Sequence, residues 1–258
     1  MARRWALVLG ASSGFGEASA RALAAAGYPI FGVHLDRRST QPHVEEVIAA
    51  IQAEGQDARY FNINAADGEK REEVLDAIRE QVGEGEDVGV LLHSLAFGTL
   101  RPFVGENALN EQQMDMTLRV MAHSLVDWTR GLLARDLMGE NGRIFAMTSS
   151  GSSRIIPTYG AVSAAKAALE SHIRQLAYEL CDRGITANAL RGGVTDTPAL
   201  RKIPDSHLIV EGAIRKNPHD RLTTPEDVAR TLVALCHPGT YWMTGNVINV
   251  DGGEEIMA

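Results

Sequence analysis

Short apolar runs of strand length alternate with segments of helical periodicity along the whole 258-residue chain. Near-continuous apolar runs are typical of strands buried on both faces, and alternating strands and helices build parallel sheets covered by helices. No linker rich in Pro, Gly and Ser divides the chain, and it contains no internal repeat. We therefore expect an α/β fold with one doubly wound domain over residues 1–258. It should contain a parallel sheet of about seven strands, with helices on both faces.

The alternation is interrupted once, at residues 192–219. This stretch has three prolines (Pro198, Pro204 and Pro218) and only weak periodicity. An insertion beyond the carboxyl end of a parallel strand lies where such folds bind ligands. It therefore predicts a mobile substrate lid, with an ordinary surface excursion as the alternative. The predicted strands are 5–9, 30–35, 58–63, 88–93, 143–148, 185–190 and 246–250, and the predicted helices are 15–26, 44–53, 70–82, 111–137, 160–181 and 225–236.

Charge and composition exclude several classes of partner. The chain has 25 Lys and Arg against 33 Asp and Glu, a net charge of −8, which disfavours nucleic acid or an anionic membrane. No apolar run reaches the roughly 18 residues of a membrane span. Two cysteines make no disulfide framework, so we expect a cytoplasmic protein. The eight histidines lack metal-ligand spacing, so no metal is expected.

A glycine-rich turn, GASSGFG at residues 10–16, separates the first predicted strand from an Ala-rich helix. Glycines let the backbone approach a pyrophosphate closely, and the following helix offers unpaired N–H groups and a partial positive charge. In this strand–turn–helix context the pattern predicts a Rossmann-type dinucleotide site. A plain connecting turn is the alternative. The residues predicted to hold the pyrophosphate are Gly10, Ser12, Ser13, Gly14, Phe15 and Gly16.

The end of the second strand predicts which cofactor is used. An acidic residue there would hold the ribose 2′-hydroxyl of NAD, whereas basic residues would hold the 2′-phosphate of NADP. Asp36 lies 20 residues beyond Gly16 and suits NAD, but Arg37 and Arg38 follow it directly. Two guanidinium groups could grip a phosphate, so NADP(H) is slightly preferred over NAD(H). The arginines could also be solvated turn residues.

A serine follows the fifth strand, and a tyrosine and a lysine accompany the next helix: Ser149, Tyr159 and Lys166. Together with the glycine turn, the GGVTDT segment at 192–197 and the VDGG segment at 250–253, they resemble the short-chain dehydrogenase/reductase family. The resemblance covers nearly the whole chain. An amphipathic helix with a polar edge would explain Tyr159 and Lys166 alone, but not the glycine turn.

The spacing of this pair differs from the usual one of the family, Tyr-x3-Lys. Val162 stands four residues before Lys166, and Tyr159 stands seven before it. Both positions return to about the same helix face, and three more residues displace the tyrosine by about 4.5 Å along the axis. This spacing resembles the enoyl-acyl carrier protein reductase branch. So do Met121, where the family's usual Asn is replaced, and the segment HSLAF at 93–97.

The resemblance implies hydride transfer from NAD(P)H to the β-carbon of an enoyl thioester. Negative charge then develops on the thioester oxygen, several bonds away, which suits a more distant acid. The implied substrate is carried on acyl carrier protein or CoA, and the implied assembly is a homotetramer. We expect an acidic carrier to dock on basic residues near the lid: Arg201, Lys202, Arg215 and Lys216. The alternatives are an NAD(P)-dependent ketone or alcohol oxidoreductase, acting on 3-oxoacyl, steroid or sugar substrates, and a non-catalytic cofactor-binding protein.

Residue roles follow from the resemblance. Tyr159 would donate to the developing enolate oxygen, Lys166 would bind the nicotinamide ribose and lower the pKa of the tyrosine, and Ser149 would orient the substrate carbonyl. Asn62 and Ile63 would border the adenine. Gly193, Val194 and Thr197 would hold the carboxamide. The cofactor site would be completed by Ser94, Leu95 and Ala96.

Overall fold

The computed structural model describes residues 3–257 and contains a seven-stranded, wholly parallel sheet. The strand order β3-β2-β1-β4-β5-β6-β7 is doubly wound, so the predicted fold class is confirmed. The order reverses beside β1, where chain crossovers leave in opposite directions and open a crevice at the carboxyl ends of β1 and β4. The strands are β1 (Arg4–Leu9), β2 (Ile30–His34), β3 (Ala58–Asn62), β4 (Asp87–His93), β5 (Arg143–Thr148), β6 (Thr186–Gly192) and β7 (Val247–Val250).

Helices cover both faces of the sheet, each with its own apolar cluster. Leu75, Trp128 and Leu169 lie in the cluster on one face, and Leu23 and Leu232 lie in the cluster on the other. All five side chains are essentially inaccessible. The helices are α1 (Gly14–Ala25), α2 (Gln41–Ala53), α3 (Gly68–Gln81), α4 (Glu111–Leu118), α5 (Ser124–Ala134), α6 (Gly160–Glu179), α7 (Ser206–Lys216) and α8 (Pro225–Leu235).

The helix predicted over 111–137 is interrupted and shorter. A π-helical turn over Arg119–His123 separates α4 from α5, and α5 ends at Ala134. The beginning is set locally, because Asn110 and Gln113 form a reciprocal capping box. Met121 lies in the π turn and is 2% exposed, and it packs against Val162 on α6.

Residues 192–219 contain a helix that the sequence did not predict. α7 begins after Asp205, which has a left-handed φ of 52°, and only Ala213 of its eleven residues is buried. Apolar side chains of α7 lie at the surface, since Leu208 is 59% exposed and Ile214 is 38% exposed. That this segment is a mobile lid stays a prediction. Within residues 3–257, no helix is long and apolar enough to cross a membrane.

Candidate active site

The glycine turn forms a narrow cradle at the switch point of the sheet. Gly10 and Gly14 have φ values of +88° and +55°, which favour glycine. A Cβ on Gly10 would collide with the carbonyl oxygen of Ser94, and one on Gly16 with that of Gly10. In the described chain Ser13 makes no side-chain capping bond to α1, so the first N–H groups of the helix are open to an anion. This cradle fits the pyrophosphate of a dinucleotide.

The remaining turn residues join the cradle to its surroundings. The ring of Phe15 lies against Gly192 at the end of β6. The hydroxyl of Ser12 lies beside Asp36 and lowers the pKa of that carboxyl. The turn therefore contacts both the proposed ribose end and the segment proposed to hold the carboxamide.

Asp36 lies just beyond β2 with its carboxylate held in place. Its Oδ2 atom is 3.0 Å from Nδ1 of His34, a residue that is 5% exposed. Burial opposes ionisation of Asp36, but contacts with Ser12, Thr40 and His34 outweigh it and keep its pKa below the ordinary value. Arg37 and Arg38 follow it, and both are exposed.

Asn62 and Ile63 lie where β3 ends, as predicted, but the Asn62 side chain has a further task. Its amide donates to the backbone carbonyl of Asp36 at 2.9 Å and accepts from the backbone N–H of Asp36 at 3.0 Å. A cleft of about 550 Å³ opens next to this strand end, lined by residues that include Asn64, Met116 and Val120.

Ser94, Leu95 and Ala96 follow β4. The Ser94 N–H donates to the carbonyl of Leu9 at 2.8 Å, which continues the pairing of β4 with β1. The Leu95 carbonyl accepts from Nζ of Lys166 at 3.3 Å, and Ala96 is exposed. This segment therefore joins the glycine cradle to α6, the helix that carries Lys166.

Lys166 is buried within α6, at 5% exposure, and its ammonium group donates to backbone carbonyls. The closer acceptor is Met147 near the end of β5, at 2.7 Å. Burial lowers the pKa of Lys166 to about 8, and the negative charge of Glu170 partly opposes that shift. The lysine therefore titrates within the range in which enzymes work.

Tyr159 does not lie inside α6 but immediately before it. Thr158 adopts a left-handed φ of 62°, and the Tyr159 carbonyl accepts the first helical bond, from Ser163 at 2.8 Å. The helical estimate of the displacement from Lys166 is therefore only approximate. Gly151 lets the turn after β5 approach the tyrosine ring, since a Cβ there would lie 2.7 Å from Cε1.

Ser149 lies beside Tyr159. Burial raises the pKa of Tyr159, and a hydrogen bond with Ser149 partly offsets that rise. The Ser149 hydroxyl also accepts from the Gly151 N–H at 3.1 Å, which fixes the serine. We predicted that Lys166 would lower the pKa of Tyr159. The pKa of Tyr159 is instead set by burial and by Ser149.

Position 162, where the usual family tyrosine would stand, is part of an apolar cluster. Val162 is 4% exposed and packs with Met121 and Ala165, with Tyr159 at the margin. Gly98 closes over this cluster, because a Cβ there would lie 2.8 Å from Val162 Cγ2 and 3.0 Å from Met121 Sδ. A tyrosine at 162 would have no space and no polar partner in this cluster.

The segment after β6 places Gly193, Val194 and Thr197 at the carboxyl edge of the sheet. Gly193 N–H donates to Val250 O at 3.2 Å, and Thr197 lies across the cradle from Gly14. Glu254, which the sequence did not indicate, accepts from the Val194 N–H at 3.1 Å, and burial raises the pKa of its carboxyl. Its position is set by the turn after β7, and no local pattern in the sequence indicates it.

A second group that the sequence did not indicate surrounds Glu170, one helical turn beyond Lys166. Its Oε1 atom accepts from the Thr148 hydroxyl at 2.7 Å and from Arg191 at 3.2 Å. Arg191 also donates to Ser152 at 3.2 Å. This network joins the ends of β5 and β6 to α6 and to the turn that follows Ser149.

His123, at the end of the π turn, pairs with His172 on α6. His123 is exposed, and its Nδ1 is 3.0 Å from Nε2 of His172 on α6. Among residues 3–257, no group of three or more His, Cys, Asp or Glu could hold a metal ion.

A glycine cradle at the switch point of a doubly wound sheet, followed along the chain by Ser149, Tyr159 and a buried Lys166, is typical of the short-chain dehydrogenases and reductases. More narrowly, the chain belongs to the enoyl-(acyl carrier protein) reductase family, whose sequence model matches residues 10–255.

Two curated relatives and one crystal structure illustrate the likeness. An enoyl-acyl carrier protein reductase (NADH) of Aquifex aeolicus is 34% identical over 169 residues, which span 65% of this chain and 62% of that protein. A 1-cyclohexenylcarbonyl-CoA reductase of Streptomyces collinus is 30% identical over 259 residues, 99% of this chain and 88% of that protein. The crystal structure of the Aquifex aeolicus enzyme superimposes with a TM-score of 0.86 at 26% identity, covering 100% and 98% of the two chains.

The slight preference for NADP(H) predicted from Arg37 and Arg38 is wrong. Several curated relatives are named as NADH enzymes, the one from Aquifex aeolicus among them. The physical reason lies in Asp36, whose low pKa keeps it ionised beside Ser12 of the cradle. A 2′-phosphate there would meet this negative charge, and Arg37 and Arg38 are both exposed.

Proposed function

We propose that this protein reduces the carbon–carbon double bond of an enoyl thioester with NADH. One observation carries the proposal: Tyr159 stands at the start of α6, seven residues before the buried Lys166, while position 162 is filled by a valine in an apolar cluster. An acid placed further from the lysine suits an oxygen that lies further from the carbon accepting hydride.

The family fold and the cradle point to a nicotinamide dinucleotide, which supplies a hydride when bound. Gly10, Ser12, Ser13, Gly14, Phe15 and Gly16 would hold its pyrophosphate, and Asp36 its adenosine ribose. Asn62 and Ile63 would border the adenine. Ser94, Leu95, Ala96, Gly193, Val194 and Thr197 would enclose the nicotinamide half.

The chain's own groups then handle charge and protons. Tyr159 keeps its proton at neutral pH, because burial raises its pKa, so it can donate to the thioester oxygen as negative charge develops there. Ser149, which lies beside Tyr159, would orient the substrate carbonyl. Lys166, fixed by the carbonyls of Leu95 and Met147, would bind the nicotinamide ribose hydroxyls. The hydride from NADH goes to the β-carbon, and a proton from solvent would add to the α-carbon of the enolate, which completes the reduction.

The substrate is an acyl thioester, carried on acyl carrier protein or on CoA. The relatives act on either form by name, which supports the class and leaves the carrier to experiment. Lys202, Arg215 and Lys216 are exposed along the segment that contains α7, and we infer that an acidic carrier docks there. Arg201 contributes less, because it is paired with Asp196 at 2.7 Å.

We further infer a homotetramer. β7 is the edge strand of the sheet, and Tyr241 and Trp242, exposed at 57% and 85%, precede it. Exposed aromatic side chains beside an edge strand favour association with another copy. Sedimentation equilibrium tests this, and a monomer at micromolar concentration contradicts it. The cytoplasmic location stays a prediction.

The test of the activity follows NADH oxidation at 340 nm with crotonyl-CoA and with a longer enoyl-acyl carrier protein. We expect turnover with at least one of them and little with 3-oxoacyl thioesters, steroids or sugars. No turnover with either enoyl substrate would overturn the proposal. Turnover with a ketone that is lost in Tyr159→Phe would favour the alternative of a carbonyl reductase.

A further inference from the structure

We propose that His34 is a positioning residue for coenzyme choice: it holds the Asp36 carboxylate ready for the ribose 2′-hydroxyl of NADH, while Asn62 holds the Asp36 backbone. The inference rests on the proposed function, because it assumes that the cradle binds a nicotinamide dinucleotide. His34 and Asn62 would act on coenzyme choice through Asp36, and neither needs to touch the substrate.

His34 holds the side chain of Asp36. His34 ends β2, its side chain is 3% exposed, and its Nδ1 lies 3.0 Å from Oδ2 of Asp36, whose side chain is 17% exposed. A carboxylate can only accept, so Nδ1 must carry the hydrogen and donate. A charge-assisted bond of this kind is short and directional, and it limits where the carboxylate can turn.

Asn62 holds the backbone of Asp36. Asn62 ends β3 and is the register partner of His34 in the parallel pairing of β2 with β3. Its amide bonds both the N–H and the carbonyl of Asp36, at 3.0 and 2.9 Å. Two adjacent residues of neighbouring strands therefore converge on Asp36, one on its side chain and one on its main chain.

The chemistry of the two coenzymes gives this frame its meaning. A carboxylate offers about four acceptor sites; His34 uses one of them, and Ser12 and Thr40 contact the same carboxylate. A 2′-hydroxyl is a donor that can use another, whereas a 2′-phosphate at neutral pH offers mainly negative charge. A carboxylate held by the protein before the coenzyme arrives therefore favours NADH and repels NADPH, with no rearrangement needed on binding.

Loss of the His34 donor should loosen this frame, because Ser12 and Thr40 are then the remaining side-chain contacts of the carboxylate. Without it, the partly buried carboxylate can turn toward solvent, toward the exposed Arg37 and Arg38. NADH then loses a preorganised acceptor, and NADPH loses a fixed repulsive charge. Selectivity should fall from both sides, which a general loss of stability would not produce.

The experiment measures the dissociation constants of NADH and NADPH by cofactor fluorescence, without substrate. His34→Phe keeps a ring of similar size without a donor, and His34→Asn restores a donor close to the position of Nδ1. We expect the NADPH/NADH ratio of dissociation constants to fall about tenfold in His34→Phe and to stay within about threefold of wild type in His34→Asn. The matched control is His237→Phe, at an exposed histidine in the turn after α8, which should keep the wild-type ratio.

A folded His34→Phe variant with the wild-type ratio overturns the inference, as does an equal loss in His34→Asn. If His34→Phe does not fold, Asn62→Ala takes its place, and an unchanged ratio there has the same meaning. A wild-type protein that binds NADPH more tightly, or binds neither coenzyme, overturns the cofactor part of the proposed function together with this inference. A wild type that prefers NADH leaves that part intact whatever the variants do.

Discussion

The Nζ atom of Lys166 lies 2.7 Å from the carbonyl oxygen of Met147, so a buried ammonium group ties α6 to the carboxyl end of β5. The contact fixes the lysine at the position where strand and helix meet the proposed nicotinamide ribose. The same burial lowers its pKa to about 8, which makes the state of this contact dependent on pH.

The first prediction concerns the alkaline limit of activity. Lys166 loses its charge as the pH rises through about 8, so kcat/KM should fall about tenfold per pH unit above it. Tyr159 does not contribute there, because its pKa is raised above the ordinary value of 10. In Lys166→Arg the remaining activity should show no such break, since arginine stays charged. A break at the same pH in both proteins would assign it to another group.

The second prediction concerns the proposed acid. Tyr159→Phe should lower kcat by a factor of about 10² to 10⁴ with little change in KM, because the hydroxyl acts on charge that develops in the transition state. Steady-state kinetics with an enoyl thioester measures both constants. The control is Tyr178→Phe, at an exposed tyrosine on the same helix, which should keep wild-type rates. Full activity in Tyr159→Phe would remove this residue from the mechanism.

The third prediction moves the tyrosine to the usual family position. Val162→Tyr should destabilise the protein by about 1–3 kcal/mol, because the valine packs against Met121 beneath Gly98. It should not restore activity when combined with Tyr159→Phe. Thermal unfolding measures the first effect, with Val104→Tyr at an 82%-exposed position as control. Restored enoyl reduction in the double variant would show that the spacing is not decisive.

The fourth prediction concerns acid stability. Contact with Arg221, at 2.6 Å, and bonds from Thr224 hold the pKa of Asp227 well below its usual range, although burial opposes them. A depressed folded pKa means that the stabilisation is complete above the unfolded pKa of about 4 and is lost as the pH falls below it. Asp227→Asn should therefore lower the free energy of unfolding by about 1–3 kcal/mol at pH 7 and by less near pH 3.

Chemical denaturation at both pH values measures this difference. The exposed Asp182→Asn serves as the control, because Asp182 has no cationic partner among its hydrogen bonds within the described residues. A difference between wild type and Asp227→Asn that stays constant from pH 7 to pH 3 would contradict the assignment.

The fifth prediction concerns the carrier. Reversal of Lys202, Arg215 and Lys216 to glutamate should raise KM for an enoyl-acyl carrier protein about tenfold and leave KM for crotonyl-CoA unchanged. The effect should weaken with added salt, since these charges are exposed. Lys70→Glu on α3, remote from this segment, is the control. Equal effects on both substrates would mean that the patch acts on the thioester site and not on the carrier.

The sequence alone determined the layout of the fold, because its signals are local. The glycine turn between an apolar strand and an Ala-rich helix predicted a close approach of the backbone, and Gly10 and Gly14 adopt positive φ in this turn. The seven-residue spacing of Tyr159 and Lys166 is likewise visible in the chain. Burial on both faces left continuous apolar runs that predicted the parallel sheet.

Tertiary structure decided what depends on contacts between distant segments. The sequence places Asp36 next to Arg37 and Arg38 and does not show which of them faces the cofactor, whereas the structure brings His34 and Asn62 from adjacent strands onto Asp36. Glu254 reaches Val194 across 60 residues of sequence. Such contacts form where strands and turns meet at the edge of the sheet. They join residues that are far apart in the chain, so no periodic pattern in the sequence indicates them. The chain order therefore predicts where the site lies, and the packed sheet decides which charges face it.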